Sequence, residues 1–173
     1  IPLDAVADNV GVLLRQLSGF AGLTHENMYH STGWRFMSLG TSLERAAGMA
    51  TVLARLLRAD APEGADDLAL ELGDSAMSHR ALYAVPPNPA SLIDLLARDG
   101  RNPRSILFHL RVIQTHIEAL PAPAIPSDVV DQAKALPMML DQSSAAEFDP
   151  DELLKLCDQI WALSNALSAA YLK

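Results

Sequence analysis

Residues 33–58, GWRFMSLGTSLERAAGMATVLARLLR, decide the fold class. Within them Phe36, Leu39, Leu43, Ala47, Ala50, Ala54 and Leu57 recur every three or four positions, the period of one face of an α-helix. Ser31 or Thr32 offers a capping hydroxyl at the start, and the stretch 60–64 breaks the pattern. Gly40 and Gly48 lie inside it. Each costs roughly 1 kcal/mol against alanine in an exposed helix interior, so each reads as a point where a second helix or a ligand comes close.

Outward from this helix the same period repeats. Upstream, Val6, Val10, Leu13, Leu14 and Leu17 predict a helix over 4–19 with Gly19 as its stop. Residues 20–31 are less regular, with room for a short helix. Downstream, Leu68, Leu72, Ser75, His79 and Tyr83 place one helix over 66–83. The run 85–89 ends it, and Asn88 with Pro89 opens a short helix to Arg98. After the Asp99-Gly100 turn, Asn102 is the expected cap of a helix with the stripe Ile106, Leu110, Ile113, Ile117 and Leu120. Pro121, Pro123 and Pro126 make a stiff connector, a candidate linker at 121–126. Ser127 caps a helix that Pro137 should kink or end. Asp149 caps the last helix, Pro150 opens it, and it runs to Tyr171. Strand-like alternation is never sustained. The reading is all-α, a helical bundle of six or seven helices forming a single domain over 1–173.

Composition narrows the function classes. Half the residues are hydrophobic, but aromatics are 5%, so Leu, Ala, Ile, Val and Met must fill the core. A net charge of -8 argues against a nucleic-acid partner. One cysteine, Cys157, forms no internal disulfide and suits a reducing cytoplasm; it reads as buried and inert. Every long apolar stretch is interrupted by charge, which argues against a membrane span. The chain opens on Ile1-Pro2 rather than Met, so it reads as a fragment of a longer protein.

Charged and polar groups set into apolar helical sequence are the candidate site: Arg35, Glu44, Arg45, Asp74, His79, Arg80, Asn102 and Arg104. Glu44 flanks the apolar face of its helix, and a lone buried carboxylate needs a partner. The plainer reading is a latch, an ion pair with an arginine of a neighbouring helix. The sharper one is a polar interhelical cleft that grips a carboxylate or phosphate through arginine forks. His79 shares an apolar face and reads first as a hydrogen-bonded core residue. Arg104, in the first turn of its helix, would be joined by free helix amides, and Arg111 lies nearly above it. No CxxC, HExxH, GxxxxGK[ST] or Glu-x-x-His pattern occurs, which removes common zinc, Walker-type and di-iron sites. His109 and His116 are too few for a metal site. No cofactor and no nucleophile is assigned.

Three ordered blocks resemble a known family. The first is Glu26-Asn27-Met28, Gly33-Trp34-Arg35-Phe36, Gly40 and Leu43-Glu44-Arg45-Ala46. The second is Asp74-Ser75-Ala76-Met77 with Arg80 and Tyr83; the third is Asp99, Asn102-Pro103-Arg104-Ser105 and Leu110. Over about residues 20–120 the chain resembles the alpha-E domain, an all-helical bacterial family defined by a Glu-Arg motif. The resemblance implies a circularly permuted ATP-grasp partner, in trans or fused, and often a transglutaminase-like protein nearby. ATP-grasp enzymes join carboxylates to amines through an acyl phosphate. A helical domain serving a peptide or amide ligase system is therefore implied. Arginines 35, 45, 80 and 104 would hold an anionic small molecule or peptide, with Glu44 or Asp74 orienting them and His79 and Asn102 beside them. Family members usually begin with an earlier helix carrying another Glu-Arg motif, so this chain resembles the C-terminal part of the domain. His79 stands at a tyrosine-like position, and Ala81 and Leu82 replace frequent arginines, which makes the groove less basic. The alternative is a non-enzymatic interaction or scaffold domain whose charges form internal salt bridges.

Overall fold

The computed structural model describes residues 2–121 and 126–171, and of Glu147 the backbone alone. Residues 122–125 of the expected linker lie outside the described residues. Helices and turns account for all the described structure, without a strand. The chain divides into two compact units, Ile1–Arg35 and Phe36–Lys173.

The first unit is dominated by α1, Leu3–Asn27, which runs well past the expected stop at Gly19. A glycine ends a helix when it takes the left-handed conformation beyond the last turn. Gly19 and Gly22 instead remain helical. Leu3, Val6, Val10, Leu13, Leu17 and Phe20 follow one another at alternating steps of three and four, yet none of the helix is buried. At the unit's end the His30 ring stacks on Trp34, with centroids 3.8 Å apart and planes 17° apart.

The second unit is a helical bundle around one apolar core. Its first element is the greater part of α2, Thr32–Leu56. Leu39, Leu43, Ala47, Ala50 and Ala54 are buried as their spacing predicts, while Phe36 and Leu57 are half-buried. No second helix comes close at Gly40 or Gly48: among the described residues a Cβ at either would meet nothing within 4 Å.

The predicted helix over 66–83 is two helices, α3 (Ala65–Leu72) and α4 (Ala76–Leu82). Between them the Asp74 amide donates to the Glu71 carbonyl (3.0 Å) and the Ser75 amide to that of Leu70 (2.9 Å), closing α3. The break re-aims the chain, so Ser75 and His79 are buried while Leu68 and Leu72 are exposed. Gly73 is where glycine is needed: a Cβ would stand 2.6 Å from Leu96 Cδ2, on a leucine that is itself fully buried.

Asn88 caps α5 (Pro89–Leu92) through a reciprocal pair with Ser91, and the helix widens into a π-turn, Ile93–Arg98. The next helix, α6 (Ile106–Glu118), is capped by Ser105, whose Oγ accepts from the Phe108 amide at 3.1 Å. The expected cap Asn102 lies a turn earlier, because its side chain is engaged elsewhere. All five stripe residues from Ile106 to Leu120 are buried.

The α7 helix, Ser127–Gln142, has Pro126 at its cap position and passes through a buried Pro137. Interior proline costs a helix about 3 kcal/mol. Here Val129, Ala133, Leu136 and Leu140 are buried on both sides of it, and full burial of each large side chain contributes about 1.5–3 kcal/mol. After a 3-10 turn, Ala145–Glu147, α8 spans Pro150–Tyr171. Asp149 caps it, accepting from the Glu152 amide at 2.9 Å. Among the described residues no helix is long and apolar enough to cross a membrane.

Candidate functional site

The clearest polar assembly is the corner where the α3–α4 turn, the π-turn and the entry to α6 meet. Asp74 takes the left-handed position that closes α3, with φ +44°. Glycine usually fills that place, but aspartate tolerates it better than most residues. From there Asp74 Oδ2 accepts from Arg104 Nη2 at 2.7 Å. Asn102 is buried beneath the pair. Its Nδ2 donates to the Leu95 carbonyl (3.0 Å) and to Ser75 Oγ (3.2 Å), and its Oδ1 accepts from the Arg104 amide (3.0 Å). The Ser75 hydroxyl in turn donates to the Gly73 carbonyl at 2.8 Å. The network fixes where Arg104 starts. It also corrects the expected placement, since Arg104 precedes α6 rather than sitting in its first turn, and Ser105 occupies the Phe108 amide.

One turn into α6 is His109, 3% exposed, with neither ring nitrogen within hydrogen-bonding geometry of a partner among the described residues. Burial pushes its pKa down to about 4, and the positive charges of Arg45 and Arg104 push the same way. The Pro103 carbonyl favours the protonated ring but stands outside hydrogen-bonding geometry. At neutral pH the imidazole is therefore uncharged. Two arginines from separate segments, α2 and the α6 entry, thus act on one buried group. Arg104 has Asp74, whereas no carboxylate lies within 4 Å of Arg45 among the described residues.

The other candidates are placed differently. Glu44 is exposed and makes no ion pair among the described residues; Ala46 and Ala47 fill the seam that the helical period left it flanking. Arg35 is half-buried and belongs to the first unit. Arg111 is tied to Asp141 of α7 at 3.1 Å, so it and Arg104 serve different carboxylates. His79 is a buried hydrogen-bonded residue, its Nε2 2.9 Å from Ser91 Oγ. Its ring stacks on Tyr83 (centroids 4.9 Å apart), and the Tyr83 hydroxyl donates to Asp94 Oδ2 at 2.8 Å. Burial, then Asp94, raises the Tyr83 pKa to about 12. Arg80 is exposed on the rim of a hollow of about 370 Å³ between α3, α4 and the segment 84–87. Cys157 is buried, with Sγ 3.4 Å from Thr51 Oγ1. Among the described residues no three His, Cys, Asp or Glu side chains are grouped to hold a metal ion.

Sequence reasoning did not place His109 in the site. Its signal was present: three residues after Ile106 and four before Ile113, it shares their buried stripe. Ser75 was read only as part of an apolar face.

In comparisons with known proteins, 109 residues of the chain are 28% identical to an uncharacterised protein of Mycobacterium bovis and to uncharacterised proteins of two strains of Mycobacterium tuberculosis. That stretch is 61% of this chain and 12% of each relative, so the chain accounts for a small part of their length. No solved structure matches. The family model described as "a predicted alpha-helical domain with a conserved ER motif" matches residues 4–172. The chain therefore belongs to the Alpha-E family.

Proposed function

We propose that this domain serves an ATP-grasp-type ligase system that joins carboxylates to amines, and that it holds an anionic substrate or intermediate between Arg45 and Arg104. The observations that carry this reading are that Arg104 is aimed by Asp74 at 2.7 Å and by Asn102, that Arg45 has no carboxylate within 4 Å among the described residues, and that both charges disfavour protonation of buried His109. The uncharged, buried imidazole adds no competing positive charge, and Arg104 alone of the two arginines is paired with a carboxylate, that of Asp74. Arg45, without an ion-pair partner, is available for a two-pronged grip on a carboxylate or phosphate. The domain contributes electrostatic holding, and a partner contributes the nucleotide chemistry. That partner is a circularly permuted ATP-grasp protein, in trans or fused, in a cytoplasmic setting that suits the single reduced cysteine. A transglutaminase-like protein is a further partner on the same resemblance.

A second reading, the latch of a scaffold domain, is favoured by the Asp74–Arg104 pair. Its side chains are 77% and 46% exposed. Exposed pairs contribute about 0.2–1 kcal/mol, no more than the strain of a non-glycine left-handed residue. The pair therefore aims Arg104 more than it stabilises the fold.

The test co-expresses the full-length protein with its ATP-grasp partner and follows ATP consumption over a panel of amino acids. Arg45→Ala should leave the complex intact and lower turnover by about 100-fold. Unchanged turnover in Arg45→Ala, with Arg104→Ala losing the fold and the complex, would establish the latch instead.

A further inference from the structure

The hollow between α3, α4 and residues 84–87 carries charges of both signs that are not spent on one another. Asp67 and Glu71 stand one turn apart on α3 and line one side, and Arg80 lines the α4 side. None of the three is in an ion pair within 4 Å among the described residues. Three other hollows differ: their cations Arg58, Arg111 and Lys155 are each paired with a carboxylate, on Asp60, Asp141 and Glu152. Opposite charges facing one cleft ordinarily collapse onto each other. Here the acids stand on α3 and the arginine on α4, beyond the Gly73–Asp74 break, and no such pair forms.

The space between has an apolar part beside its charged walls. Leu70 and Ala76 line it from the two helices, and Val85, Pro86 and Pro87 from the third side. The stacked His79 and Tyr83 rings are anchored from behind by Ser91 and Asp94. At about 370 Å³ the volume falls within the roughly 300–1,000 Å³ typical of small-molecule sites. We infer that this hollow binds a zwitterion of the α-amino acid class, free or as a short peptide, with its ammonium on Asp67 and Glu71 and its carboxylate on Arg80. A ligand with one charge alone would satisfy one wall and leave the other unmet. Two acids against one guanidinium also disfavour acidic side chains, so neutral and basic amino acids are preferred over glutamate. The site is distinct from the Arg45–Arg104 grip and stands without it.

Calorimetric titration of the intact chain, without nucleotide or partner, tests the inference. The probes are leucine, lysine, glutamate, leucyl-leucine, N-acetyl-leucine and leucinamide. Leucine or leucyl-leucine should bind saturably, and which of the two binds tighter identifies a free or a peptide ligand. Blocking either end should weaken binding by about tenfold or more. Arg80→Ala should erase the preference for leucine over leucinamide, and Asp67→Asn with Glu71→Gln the preference over N-acetyl-leucine. These three side chains are exposed, so the variants should stay folded, which circular dichroism checks. Arg45→Ala should bind leucine as the parent does, which separates this site from the anion grip. Absence of saturable binding by every zwitterion, or equal binding of the blocked analogues, overturns the inference.

Discussion

Asp74 and His109 each break a local rule. A β-carbon in the left-handed region costs roughly 1–2 kcal/mol, and aspartate lessens this by bonding locally. Asp74→Ala should therefore lower the unfolding free energy by about 1–2 kcal/mol, combining strain with the lost Arg104 contact. Asp74→Gly relieves the strain and should stay within about 0.5 kcal/mol of the parent in urea midpoints. A similar loss in both variants would show that the ion pair, not the backbone, sets the cost. His109 makes stability depend on pH. Its folded pKa is about 4 against an ordinary 6.5, so between these values the unfolded chain binds the extra proton. Its contribution is complete above about pH 6.5 and is lost as pH falls towards 4, a difference on the order of 3 kcal/mol. His109→Leu removes the titrating ring and two unpaired buried nitrogens. Its stability, measured by urea unfolding at pH 4.5 and 7, should fall less on acidification than the parent's.

At the scale of elements, α2 and the α3–α4 break teach opposite lessons about glycine. Gly73 is fixed by the buried Leu96 against its α-carbon, whereas Gly40 and Gly48 face open space on a continuous helix. Alanine at either of the latter should raise the unfolding free energy by about 0.5–1 kcal/mol, read from the thermal midpoint. No gain in both would mean that a partner uses that surface. The helices read most accurately from sequence were α2 and α8, whose expected bounds lie within about two residues of those found, while α6 had its apolar stripe right and its cap wrong. The helix over 66–83 was misread because its period runs unbroken from Leu68 to Tyr83. The closing hydrogen bonds of α3 and the Gly73–Leu96 contact depend on neighbours that a sequence window does not contain. Ser105 displaced Asn102 as a cap for the same reason, since Leu95 and Ser75 claim the asparagine amide.

For the whole molecule, stability rests on the apolar core of the second unit rather than on charge. Each ion pair among the described residues has at least one partner side chain about half exposed or more. Such pairs contribute little and are screened by salt, while salt also relieves the self-repulsion of a chain carrying -8. Raising salt from low to about 0.5 M should move the unfolding free energy by less than about 1 kcal/mol. A larger fall would mean that the Asp74–Arg104 corner is a structural latch. Sequence alone determined the all-helical class, most of the buried stripes and the family, because period, caps and ordered motifs are local properties of the chain. Which charges meet was decided only by tertiary structure: Arg104 with Asp74, Arg111 with Asp141, and Arg80 on the same hollow as Asp67 and Glu71. Those pairings depend on helix ends and on side-chain reach between segments up to some tens of residues apart, and periodicity within one segment carries no information about either.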